Sequence, residues 1–205
     1  MGMLPALLLF GSLMATAAIK TFLNPLLGSV PQKSTCQTPH RWQYYVTYNC
    51  LSMRQTGRQQ HVLHEFNNAK IVCLQGTRDR ASVGKSVQVS RANGFTIVKA
   101  GYMHSTNSHS GVTIAVNSSI VPDRCIHSIS YAEGRYKSLQ GRILALRTRS
   151  TTCDLMHINM YFPPQGAKNG LNVCKLMLEW LMDLLRNMSQ RTVPIIYTDA
   201  NSLFE

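Results

Sequence analysis

The chain has 205 residues with 44% hydrophobic content, enough for one domain with a sizeable core and too apolar for global disorder. Lys and Arg number 21 against 9 Asp and Glu, a formal charge of +12 that favours polyanionic partners, either nucleic acid or an anionic membrane surface. The six cysteines show no C-x-x-C spacing and the seven histidines no H-x-x-x-H spacing, so a zinc framework is not indicated.

The stretch Leu4 to Ile19 is largely apolar, and Ala15-Thr16-Ala17 resembles a small-residue cleavage site. A secretory signal normally opens on basic residues, but the first one here is Lys20. Gly11 and Ser12 interrupt the run, which is also short for a membrane span. Three readings stay open: a weak signal-like or anchor-like segment, an extension of the domain, or sequence foreign to it. Asn24 to His40 holds three of the eight prolines and reads as a linker. The expected organisation is an apolar segment and linker over 1–40 and one domain over 41–205. Apart from that segment, no membrane association is expected. Most cysteines lie in apolar runs, where a thiol acts as a small hydrophobe. Reduced thiols favour an intracellular protein, whereas a disulfide framework requires the signal reading.

From Arg41 onward, strands and helices alternate. Gln43 to Tyr48 is rich in strand formers and ends at Asn49. Arg58 to Asn68 has Val62, Leu63 and Phe66 at helical spacing, so it carries the chain back for a parallel strand over Lys70 to Gln75. Arg78 to Asn93 is polar and basic and reads mainly as loop. Phe95 to Lys99 and Val112 to Val116 are two further strands. Arg124 to Tyr131 and Arg142 to Arg147 both alternate and read as an antiparallel pair. Asp154 to Met160 is a strand ending at Tyr161, before the breakers Pro163, Pro164 and Gly166. Asn169 to Ser189 is the one long helix. Its apolar stripe runs from Val173 through Trp180 to Leu185, Asn169 can cap its start, and Arg186 suits its end.

The last strand, Val193 to Thr198, runs into Asp199-Ala200-Asn201. Alternation aims Asp199 and Asn201 the same way off its end. Alone, this is also a strand running into a polar turn. Four strands, however, end in residues able to hold phosphate or metal: Asn49, Gln75, Tyr161, and Asp199 with Asn201. In α/β proteins ligands collect where strand ends meet. Amide and phenol groups suit a phosphodiester, and a carboxylate beside them suits a divalent ion that activates water.

At these residues the sequence resembles the endonuclease/exonuclease/phosphatase superfamily, the DNase I-like fold. It is most similar to the apurinic-type endonuclease domains of non-LTR retrotransposons. The resemblance rests on five ordered motifs running from about Tyr44 to the end. They are Thr47-Tyr48-Asn49-Cys50-Leu51-Ser52, Ile71-Val72-Cys73-Leu74-Gln75-Gly76-Thr77-Arg78, Ser110-Gly111-Val112-Thr113-Ile114-Ala115-Val116, Ile158-Asn159-Met160-Tyr161-Phe162-Pro163-Pro164 and Tyr197-Thr198-Asp199-Ala200-Asn201. The resemblance implies a DNase I-like four-layer α/β/β/α sandwich, C-terminally incomplete, with Mg²⁺ or Mn²⁺ as cofactor and DNA or another nucleic acid as partner. In an intact element of that type a reverse transcriptase domain would follow.

By the same resemblance, Asn49 would hold the metal or the scissile phosphate, and Tyr161 would contact the phosphate. Asp199 would serve the metal and, with Asn201, orient the attacking water. Arg78 and Arg80 would reach the nucleic-acid backbone, although a solvated Arg78 fits the sequence as well. Two departures stand out. The family's metal-binding Glu falls at Gly76, and the chain reaches Glu205 without the later Asp and the Ser-Asp-His segment that supplies a general acid/base. The expectation is a phosphodiester hydrolase domain by descent, inactive as written, with metal binding weakened. The alternatives are a non-catalytic nucleic-acid-binding or interaction module, a retroelement remnant, and a phosphatase of the same superfamily.

Overall fold

Two βαβ units seed two sheets. The structure is a computed structural model and describes residues 9–10, 44–82, 85–103 and 108–199. In chain order the strands are β1 (Leu9–Phe10), β2 (Tyr44–Asn49), β3 (Ala69–Gln75), β4 (Gln88–Ala92), β5 (Phe95–Ala100), β6 (Val112–Asn117), β7 (Ile126–Tyr131), β8 (Ile143–Arg149), β9 (Asp154–Tyr161) and β10 (Val193–Asp199). Helix α1 (Arg58–Glu65) joins β2 to β3, and α2 (Gly170–Arg186) joins β9 to β10. Both joined pairs are parallel, as a helical crossover requires. The first sheet has the order β2-β3-β6-β5-β4 and the second β1-β10-β9-β8-β7.

Alternation along the strands sorts three cores. On β3, Ile71 and Cys73 face the second sheet, where they share a cluster with Leu144, Leu146 and Tyr197. Val72 and Leu74 face the other way, onto Val62 and Leu63 of α1. On β9, Met156, Ile158 and Met160 face Met177 and Trp180 of α2. Helix, sheet, sheet and helix therefore form four layers. Strands buried on both faces read as continuous apolar runs, which explains why β6 and β8 show little polar alternation in sequence.

Two local expectations are corrected. Part of the stretch read as loop, Gln88–Ala92, is strand β4, paired antiparallel with β5. Its polar side chains suit an exposed sheet edge, and the turn Asn93-Gly94 has positive φ at both residues (52° and 78°), the geometry of a tight hairpin. Asn169 precedes α2 with φ 60° and makes no side-chain cap bond, because a capping side chain reaches the first-turn N–H groups from an extended backbone.

Within the 1–40 segment only Leu9–Phe10 is described, and it adds a parallel strand beside β10, with Leu9 opposite Ile196. The rest of that segment lies outside the described residues. No helix among the described residues is long and apolar enough to cross a membrane.

Candidate functional site

The site is built by register. Asn49 pairs with Gln75 across β2 and β3, and Asp199 pairs with Tyr161 across β10 and β9. The C-terminal ends of two parallel pairs thus meet at one rim of the sandwich. There the Asn49 Nδ2 donates to Asp199 Oδ2, joining the two sheets. Asn49 Oδ1 accepts from the Leu51 N–H at 3.1 Å, so both ends of the amide are engaged. Three of the expected residues, Asn49, Tyr161 and Asp199, are therefore brought together. Asn201 lies outside the described residues.

Gly76 sits beside this pair. Its φ is +64°, and a Cβ built on it would lie 2.9 Å from Asn49 Oδ1. The position aligned with the metal carboxylate is thus next to the aligned amide, but in a left-handed conformation that favours glycine.

Directly beneath the rim, a buried polar bracket fixes the two sheets. Asn159 is fully buried, and its Nδ2 donates to the Leu74 carbonyl at 3.0 Å and to the Thr113 carbonyl at 2.8 Å. Its Oδ1 accepts from Gln75 Nε2 at 2.7 Å, and the same nitrogen reaches Thr47 Oγ1 at 2.9 Å. Gln75 ends its strand as expected, but its amide serves this bracket. Farther in, fully buried His157 bonds Thr148 Oγ1 and Tyr197 Oη, each at 3.0 Å, and stacks on Tyr45. Burial, aided by the Lys70 charge, pushes the imidazole down to about 3.

Arg142 escaped the sequence reading. It is buried, with Nη1 donating to the Tyr161 carbonyl at 3.2 Å and its guanidinium 5.8 Å from the Tyr161 ring centre. Burial holds its pKa below the ordinary guanidinium value. Its Nε has no hydrogen-bond partner among the described residues. The only sequence hint is one cation abutting the apolar run Ile143 to Leu146.

Arginines also flank the β2 and β3 ends. Arg78 is half-buried with φ 56°. Its N–H donates to the Ser110 carbonyl at 2.9 Å, and its own carbonyl accepts from Arg54 Nε at 3.1 Å. Arg80 is exposed and bridges Tyr102. Arg54, also missed in sequence, donates to the Tyr102 hydroxyl and lies over its ring. Asp79 pairs with Lys99 at 3.4 Å. No group of three or more His, Cys, Asp or Glu able to hold a metal occurs among the described residues.

No family model and no curated protein matches the chain. Solved structures do. An AP endonuclease from Archaeoglobus fulgidus is 18% identical with a TM-score of 0.51, over 76% of this chain and 56% of that one. The 3′ phosphatase NExo from Neisseria, bound to a product DNA hairpin, is 16% identical with a TM-score of 0.53, over 77% and 57%. The Xenopus laevis APE2 catalytic domain is 18% identical with a TM-score of 0.54, over 77% and 58%. The matched part thus spans less than two thirds of each of those structures. Together with the four layers and two five-stranded sheets seen among the described residues, these similarities show that the chain has the DNase I-like α/β fold.

Proposed function

We propose that the rim formed by Asn49, Tyr161 and Asp199 binds a phosphodiester of nucleic acid, in a nuclease or phosphatase domain whose metal position has decayed. The observation that carries this reading is their convergence at one rim, with Gly76 against Asn49. A basic chain, one structural neighbour named an AP endonuclease and another bound to a product DNA hairpin support it.

In this reading the Tyr161 hydroxyl and the Asn49 amide donate to non-bridging phosphate oxygens. Arg142, seated against Tyr161, supplies positive charge behind them. Arg78, Arg80 and Arg54 follow the backbone on either side.

The fit to a divalent ion is poor. Asn49 and Asp199 would be its ligands, and a bound ion would activate water and stabilise charge on phosphorus. Mg²⁺ wants a near-octahedral set of oxygens. Here one carboxylate faces an amide N–H, and one amide oxygen already accepts a backbone N–H. The function assigned to the rim is therefore binding without efficient hydrolysis.

Fluorescence anisotropy with a labelled DNA duplex tests it. Affinity should fall steeply with salt, because each neutralised phosphate adds about −0.9 to the log–log slope. Arg78→Ala and Arg80→Ala should each reduce that slope by about 1. A salt-independent affinity, or slopes untouched by both variants, contradicts the proposal.

A further inference from the structure

The other end of the sandwich holds a cleft of 930 Å³, within the usual size of a small-ligand site. It opens between the start of β3, the loop after β6 and the β8–β9 turn. Lys70 and Gln75 stand at opposite ends of β3, so this cleft is about 17 Å from the rim by strand rise.

Its lining is one-sided in charge. Lys70, Arg124 and Arg149 line it, and among the described residues no Asp or Glu does. The two carboxylates nearest in sequence are already committed. Asp123 is held by Arg91 and by Thr96 at 2.5 Å, and Asp154 by Arg147 at 2.8 and 2.6 Å. Arg149 approaches Asp154 only to 4.0 Å. The Lys70 ammonium lies over the Tyr45 ring at 5.8 Å, and burial lowers its pKa. Two exposed hydroxyls, Thr151 and Thr152, sit in the β8–β9 turn beside these cations, whereas the Ser150 hydroxyl donates to the Cys153 carbonyl at 3.2 Å. Opposite them stand Pro122 and Ile120, the latter 41% exposed.

We infer that this cleft is a second anion site, which takes a phosphate-bearing nucleotide, free or at the end of a nucleic-acid strand. The cations and hydroxyls meet the phosphate. The apolar edge at Ile120 and Pro122 meets the sugar and base. Its volume of 930 Å³ suits one nucleotide residue, whereas a duplex spreads its contacts over a longer surface.

Two half-exposed thiols in the lining, Cys125 and Cys153, report on occupancy. The test uses the full chain with three probes: inorganic phosphate, AMP, and a short 5′-phosphorylated oligonucleotide. Maleimide labelling of Cys125 and Cys153, mapped by peptide, should slow at least threefold on saturation with AMP or the oligonucleotide. Losing a charge-assisted contact should weaken binding about tenfold for each of Arg124→Gln and Arg149→Gln. Both arginines are exposed, so folding tolerates their replacement. Protection by AMP assigns the site to free nucleotides, and protection by the oligonucleotide alone assigns it to strand ends. Protection by phosphate alone, labelling rates unchanged by all three probes, or equal affinity in both variants overturns the inference.

Discussion

Replacing Asn159 by Leu removes the bracket between the sheets while keeping the same branched four-atom side-chain skeleton. Three hydrogen bonds vanish: those to the Leu74 and Thr113 carbonyls and the one from Gln75. Gln75 keeps Thr47, so its nitrogen is not orphaned. A buried bond contributes about 0.5–1.5 kcal/mol, and an acceptor left unsatisfied costs about 1–3 kcal/mol. The added apolar burial of Leu offsets part of the loss, about 1–2 kcal/mol. The expected net destabilisation is about 2–4 kcal/mol, a large share of a stability typically about 5–15 kcal/mol. Urea unfolding followed by circular dichroism measures it, with the midpoint falling and the slope unchanged. Asn159→Leu combined with Gln75→Leu should fall short of additivity by about 1 kcal/mol, because the two side chains share one bond. An Asn159→Leu protein within about 0.5 kcal/mol of the parent refutes the bracket, since changes that size are typical of inconsequential surface sites.

Three further outcomes are expected. His157 is depressed to about 3 by burial and the Lys70 charge, so it must stay neutral in the fold. Its folded pKa lies below its unfolded one; stability is therefore complete above about pH 6.5 and is lost by up to about 1.4 kcal/mol per unit as pH falls toward 3. Unfolding free energies from urea titrations at pH 7.5 and 5.0 should differ by about 2 kcal/mol, and His157→Gln should remove that difference; an identical pH slope in the variant contradicts it. Gly76→Glu should cost about 1–2 kcal/mol of stability from its left-handed backbone, yet tighten Mn²⁺ binding in a calorimetric titration, whereas Gly76→Ala shows only the cost. Equal Mn²⁺ affinity in folded parent and Gly76→Glu would place Gly76 away from any metal site. Arg142→Met should weaken DNA binding about tenfold in protein shown by circular dichroism to be folded, and an unchanged affinity would remove Arg142 from the rim.

Much of the architecture was legible because the apolar runs carry it. The parallel pairs around both helices follow from helical spacing between strand-forming segments, and the order of strand ends follows from the motif order. Strand β4 is hidden in sequence because an edge strand such as Gln88–Ala92 can be mostly polar and exposed, with Asn93-Gly94 marking its turn. The convergence of Asn49 with Asp199, 150 residues apart, depends on two sheets packing face to face, which no local pattern encodes. Arg142, and the bracing role of Asn159 within its motif, are not legible in sequence for a related reason. Their roles come from partners on other strands, and a buried polar residue looks like any other until its partners are known. The sequence marks Gly76 only as a departure from the resemblance; its positive φ and its closeness to Asn49 come from the fold.

The central claim is that the rim holds phosphate and does not cut it efficiently. The most direct measurement is conversion of supercoiled plasmid to nicked circles by the full chain, with and without Mg²⁺ or Mn²⁺, beside Asp199→Ala and a DNA-binding titration of the same preparations. The account predicts DNA binding with salt dependence and no metal-dependent nicking above the Asp199→Ala background. Metal-dependent nicking by the parent that Asp199→Ala abolishes would contradict it.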